Sequence, residues 1–111
     1  MKILTMCAGG NVRSVALKYL LKYKYGHESL ACGQDANSAE TIEILCNWAD
    51  YIIVVTKDYL TFIPEKYKDK TFCYEIGVDR FGYAFHPELL EICDKIIIEH
   101  GFFNKNSMIV K

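Results

Sequence analysis

The chain has 111 residues, 51% of them hydrophobic, and a formal net charge of −1. That length fits one domain with one core across residues 1–111, and the apolar fraction excludes a disordered chain. The near-neutral charge gives no bulk attraction to nucleic acid, and no apolar stretch reaches membrane-spanning length. Met1-Lys2-Ile3 leaves no room for a signal peptide before the first strand, so a cytoplasmic protein is expected.

In chain order, Ile3-Leu4-Thr5-Met6 reads as a short buried strand. Val15 through Tyr25 reads as a helix, with Leu17, Leu20 and Leu21 at helical spacing. Leu30-Ala31-Cys32 marks a weak second strand. A helix capped by Asn37 or Ser38 runs through about Trp48, with Glu40 three residues after Asn37 as in a capping box. Tyr51-Ile52-Ile53-Val54-Val55-Thr56 is the clearest buried strand, β-branched and nearly unbroken. Lys57-Asp58-Tyr59-Leu60 and Lys66-Tyr67-Lys68-Asp69-Lys70 read as a solvated connector with a short helical turn. Thr71 to Ile76 reads as the last strand, residues 77–87 as a glycine-punctuated loop, and Pro87 as the first residue of a closing helix. Leu89, Leu90, Ile92, Cys93, Ile96 and Ile97 give that helix a broad apolar face.

This alternation predicts an α/β fold, an open parallel sheet of four strands with helices on both faces. Ligands in such sheets bind at the carboxyl ends of the strands, where Cys7 and the 77–87 loop both fall. The five cysteines, at 7, 32, 46, 73 and 93, form no CxxC pair and no metal-ligand cluster, which argues for reduced thiols. Cys46, Cys73 and Cys93 sit in core-like patterns, while Cys32 ends a strand and is expected near the first loop.

The chemistry concentrates in Cys7-Ala8-Gly9-Gly10-Asn11-Val12-Arg13-Ser14, between the first strand and the first helix. The backbone N–H groups of such a loop, with the helix N-terminus, favour an anion and the ionised sulfur that attacks phosphorus. Gly9 and Gly10 let successive amides turn inward. Arg13, six positions after Cys7, has a planar guanidinium that can hold two phosphate oxygens and the charge spread over them in a transition state. The Ser14 hydroxyl is placed to donate to the cysteine sulfur. Ala8, Gly9, Gly10, Asn11, Val12 and Ser14 thus form the expected substrate-binding loop.

Cys-x5-Arg-Ser directly after the first strand resembles the low-molecular-weight protein tyrosine phosphatases, and the chain is similar to short bacterial and phage members of that family. The resemblance implies the phosphotyrosine phosphatase I-like three-layer α-β-α sandwich. It also implies Cys7 as nucleophile, Arg13 as phosphate clamp, Ser14 as thiolate stabiliser, and no metal or organic cofactor. Gly10 stands where the family usually has its loop asparagine, with Asn11 next to it. Val12 replaces a loop cysteine and Val15 a proline. The family carries its general acid after the last strand as Asp-Pro and an aromatic. Asp79-Arg80-Phe81 resembles that pattern, with Arg80 in the place of proline, so Asp79 is the expected acid and His86 the second candidate.

The activity implied is hydrolysis of a phosphomonoester, protein phosphotyrosine first and small phosphate esters next, through a phosphocysteine. Phe81, Tyr83 and Phe85 are candidates for one wall of the pocket. A cysteine phosphocarrier of the sugar-transport type uses a similar loop but does not characteristically need Arg13 or an acid. A thioredoxin-coupled arsenate reductase needs resolving cysteines that are not spaced for it here. A phosphate-binding protein without turnover is the remaining class.

Overall fold

A computed structural model describes residues 1–9, 11–77 and 80–100. Its strands are β1 (Lys2–Cys7), β2 (Glu28–Gly33), β3 (Tyr51–Val54) and β4 (Thr71–Cys73). Its helices are α1 (Arg13–Tyr23), α2 (Ala39–Trp48) and α3 (Pro87–His100). Two 3-10 segments, Lys57–Phe62 and Glu65–Lys70, join β3 to β4. The four strands are all parallel and lie in the order β2-β1-β3-β4.

The period-two alternation of β1 and β3 explains why helices cover both faces. Ile3, Cys7, Ile53 and Val55 point to one side, where Leu17 and Leu21 of α1 meet Leu89, Cys93 and Ile97 of α3. Leu4, Met6, Ile52 and Val54 point to the other, against Ile42 and Cys46 of α2 and the buried Ile63 and Tyr67 of the connector. The result is the expected three-layer arrangement. Thr5 is fully buried between these layers of apolar side chains. Its hydroxyl donates to Ser14 O at 2.7 Å, which satisfies the group and pins the first turn of α1 to β1.

Several boundaries differ from expectation for local reasons. α1 begins at Arg13, so Arg13 and Ser14 belong to its first turn. The capping box of Asn37 and Glu40 does not form. Ser38 is the N-cap and accepts from Thr41 N–H at 3.1 Å, while Asn37 Oδ1 accepts from Gly33 N–H at 2.9 Å to close the turn after β2. β4 ends at Cys73, yet the chain beyond it still follows β3. Tyr74 N–H donates to Val54 O and Ile76 N–H to Val55 O, at 2.9 and 3.1 Å, carrying the backbone to Gly77 at the site.

The end of α1 is tied to α3 through Asp94, whose carboxylate accepts from Lys24 Nζ and Tyr25 Oη. Burial alone would raise the Asp94 carboxyl, but these two hydrogen bonds override it and hold the group below its usual value. The phenol of Tyr25 is pushed up to about 12 by burial and by the same carboxylate. A depressed folded-state value means the contribution is fully present above the unfolded carboxyl's value and is lost as pH falls through the folded one. Asp94→Asn should therefore cost about 1 kcal/mol at neutral pH, discounted for the partial exposure of the pair. Urea unfolding of both proteins should show the gap closing as pH is lowered below the carboxylate range.

Candidate active site

β1 delivers Cys7 to the carboxyl edge of the sheet, between the loops that follow β2 and β3. The side chain is buried, and Cys7 Sγ lies 3.0 Å from Ser14 Oγ, at hydrogen-bond distance. The loop after β2 holds this corner through the backbone: Gln34 N–H donates to Cys7 O at 3.1 Å and Asp35 N–H to Ala8 O at 2.9 Å. A Cβ on Gly9 would stand 3.1 Å from Asn11 Oδ1. Gly9 has no left-handed backbone, and a side chain there would press on the exposed Asn11 side chain. Gly10 lies outside the described residues. Val12, the N-cap of α1, offers no side-chain acceptor, and the first turn holds no acidic residue. An incoming anion therefore meets no resident carboxylate at the helix N-terminus.

Arg13 is 3% exposed, an unusual setting for a guanidinium, and its partners come from two other segments. Nη1 donates to Gly77 O at 2.9 Å and Nη2 to Tyr59 Oη at 3.0 Å. Gly77 has φ +98°, a backbone conformation that side-chain-bearing residues rarely adopt and that glycine supplies at low cost. Both partners are neutral, and Arg13 makes no ion pair among the described residues. Its Nε–H is buried without a hydrogen-bond partner. No carboxylate among the described residues offsets the guanidinium's charge, and two of its five N–H donors are engaged by these neutral partners.

A pocket of about 480 Å³ opens over it. Ala8 and Arg13 form part of the wall; Thr56, Asp58 and Tyr59 come from beyond β3, and Glu75 and Gly77 from beyond β4. The structure sets Cys7 Sγ against Ser14 Oγ and puts Arg13, the residue before Ser14, in the pocket wall, whereas Cys7 and Ser14 are not among the pocket-lining residues. It corrects the reading of Lys57 to Leu60 as mere solvated surface, since Tyr59 and Asp58 line the pocket. Glu75, read as a strand carboxylate, lies past β4 with Oε1 accepting from Lys57 N–H at 3.2 Å. The signal for these residues was present: each follows the carboxyl end of a parallel strand, where ligands bind.

Asp79 lies outside the described residues. His86 Nδ1 accepts from Glu88 N–H at 3.1 Å, and its ring packs on Phe81 and Tyr83. It serves as a cap of α3, and it is not among the pocket-lining residues. Phe81 is buried in the core beneath the Arg80 guanidinium, which pairs with Glu88 at 2.6 Å. Phe85 meets Tyr19 of α1 edge-on. None of Phe81, Tyr83 and Phe85 walls the described pocket, because that loop folds back onto α1 and α3.

Cys32 is close to the loop in sequence register but not in orientation. It pairs with Met6, and its side chain joins Met6 and Cys46 on the face opposite Cys7. Burial, then the neighbouring Cys46 and Cys7, pushes its thiol up to about 12. No disulfide joins the five cysteines.

No family model matches the sequence, and no curated protein does. Solved structures do. The YwlE arginine phosphatase from Geobacillus stearothermophilus is 21% identical, covers 88% of this chain and 91% of its own, and superposes with a TM-score of 0.62. The tyrosine phosphatase Wzb from Escherichia coli K30, in complex with phosphate, is 15% identical over 99% of this chain and 98% of its own, with a TM-score of 0.67. A low-molecular-weight protein tyrosine phosphatase from Bacillus subtilis is 19% identical over 89% and 98%, with a TM-score of 0.61. The fold is that of the low-molecular-weight protein tyrosine phosphatases.

Tyr59→Phe tests the cage around Arg13. It removes one acceptor from a buried guanidinium and should weaken inorganic phosphate binding roughly two- to tenfold, the range for one hydrogen bond. Calorimetric titration of phosphate into both proteins measures it, and equal affinities would remove Tyr59 from the cage.

Proposed function

We propose that this chain is a cysteine-dependent phosphatase that hydrolyses a phosphomonoester through a phosphocysteine, with protein phosphotyrosine as the first substrate class to test. One observation carries the reading. A cysteine sulfur at hydrogen-bond distance from a serine hydroxyl shares a strand-to-helix connection with a buried arginine that has no anionic partner among the described residues. The solved structures that share the fold include enzymes named as tyrosine and arginine phosphatases, which supports the same chemistry.

The mechanism is two in-line displacements. Cys7 attacks phosphorus, and the bond to the leaving oxygen breaks as Asp79 gives that oxygen a proton. The phosphoryl group stays on sulfur, held by the loop amides of residues 8–14 and by Arg13 as charge builds on its equatorial oxygens. Water, deprotonated by Asp79, then releases phosphate. Ser14 stabilises the sulfur as it leaves. These steps need neither metal nor organic cofactor. Thiol chemistry of this kind suits a reducing cytoplasm, and no described helix is long and apolar enough to cross a membrane.

p-Nitrophenyl phosphate turnover, measured without metal and with reductant, tests the reading. Steady vanadate-sensitive release of p-nitrophenol should vanish in Cys7→Ser and fall about 10²-fold or more in Arg13→Ala, the scale for losing a transition-state donor. A folded wild-type protein that takes up phosphate on Cys7 without turnover would instead be a phosphocarrier. Asp79→Asn should slow esters with poor leaving groups far more than those with good ones. Equal slowing across leaving groups would take Asp79 out of the acid role.

A further inference from the structure

Two carboxylates, Asp58 and Glu75, wall the same pocket as Arg13, and neither is bonded to it. Arg13 is held by neutral groups instead, the hydroxyl of Tyr59 and the carbonyl of Gly77. Glu75 Oε1 is fixed by the Lys57 backbone N–H and stands 3.8 Å from Cys73 Sγ. Among the described residues, Lys57 makes no ion pair with it. The Asp58 carboxylate has no hydrogen-bond or ion-pair partner among the described residues; only its backbone carbonyl is engaged, by Thr61 Oγ1 at 3.1 Å. Acidic side chains at a mouth are by themselves ordinary surface. Here the 97% buried Arg13, with its unfilled Nε–H, marks the pocket's inner end as a place for an anion.

The charges do not balance for a bare phosphate ester. Among the described residues, a phosphoryl dianion entering the pocket meets one cation, Arg13, and two carboxylates, so positive charge on the substrate beside the phosphoryl group is favoured. No described aromatic wall lies there to favour a flanking apolar group, apart from Tyr59, whose hydroxyl is already engaged. Both carboxylates are exposed, so a solvated lysine or arginine side chain can reach them while the phosphoryl group sits on Arg13.

Resting on the reading of Cys7 and Arg13 as a phosphatase site, we propose that the pocket selects phosphopeptides carrying lysine or arginine beside the phosphorylated residue, with Asp58 and Glu75 binding that cation. The recognition is electrostatic and partly exposed, so it acts on KM and on encounter more than on the chemical step.

The test compares kcat/KM for two phosphotyrosyl peptides, identical except that arginine or glutamate flanks the phosphotyrosine, on wild type and on the double variant Asp58→Asn, Glu75→Gln. Using the ratio of the two peptides within each protein cancels any change in folded fraction. Wild type should favour the arginine peptide roughly tenfold at about 0.01 M salt, where charges act over roughly 30 Å. The ratio should shrink at about 0.1 M and approach unity in the double variant. A wild-type ratio near unity, or a preference that survives in the double variant, overturns the proposal. Turnover of p-nitrophenyl phosphate with neither peptide cleaved also overturns it while leaving the phosphatase reading intact. Failure of p-nitrophenyl phosphate as well would bring down the reading itself.

Discussion

A guanidinium taken out of water must recover its lost hydration from fixed partners, and the site of this protein is organised around that requirement. Arg13 opens α1, directly after the loop that begins at Cys7, and its side chain is almost wholly enclosed. Its two bonded nitrogens reach residues 46 and 64 positions further along the chain. The ends of β3 and β4 must therefore arrive correctly before Arg13 can be buried at all. The parallel register of β1, β3 and β4 achieves this, because it brings the carboxyl ends of all three strands to one edge. The partners chosen are neutral. A carboxylate in the place of Tyr59 would cancel the charge that makes the pocket attractive to an oxyanion, whereas a phenol and a carbonyl orient the group and leave its field intact.

Strand alternation does a second job at the same edge. Cys7 and Met6 are neighbours in sequence but point to opposite faces, so the sulfur sits with α1 while Cys32 sits with α2. The sheet separates Cys7 from Cys32 and Cys46, while Cys93 packs on the same face as Cys7. Burial raises the other buried thiols: Cys93 is pushed up to about 12 and Cys46 to about 11, although Lys70 opposes the shift at Cys46. A buried neutral thiol is a poor nucleophile and behaves as a small apolar side chain.

The surroundings of the pocket are polar where an aryl-binding slot would be apolar. In the loop at residues 80–86 only Phe81 enters the core, while Tyr83 beside His86 and Phe85 against Tyr19 stay more than half exposed and do not line the pocket. The loop's polar residues close the start of α3, with His86 capping the backbone and Arg80 paired to Glu88. Among the described residues, the pocket wall around Arg13 is made by Ala8, Gly77, Tyr59, Thr56 and two carboxylates.

Much of this was legible in the sequence, because it depends on local rules. Alternating strand and helix signals fixed the α/β class, and the β-branched run at 51–56 located the central strand within two residues of its end. Cys-x5-Arg-Ser located the loop, since a strand end, a helix N-terminus and their connecting residues are neighbours along the chain and need no long-range information. Tertiary structure decided what surrounds that loop. Whether Tyr59 is solvated or bonded to Arg13, whether Glu75 lies on a strand or in a pocket wall, and whether Cys32 faces Cys7 all depend on strand order and on which face each side chain takes. Those follow from packing between segments tens of residues apart, and no pattern within a single segment records them.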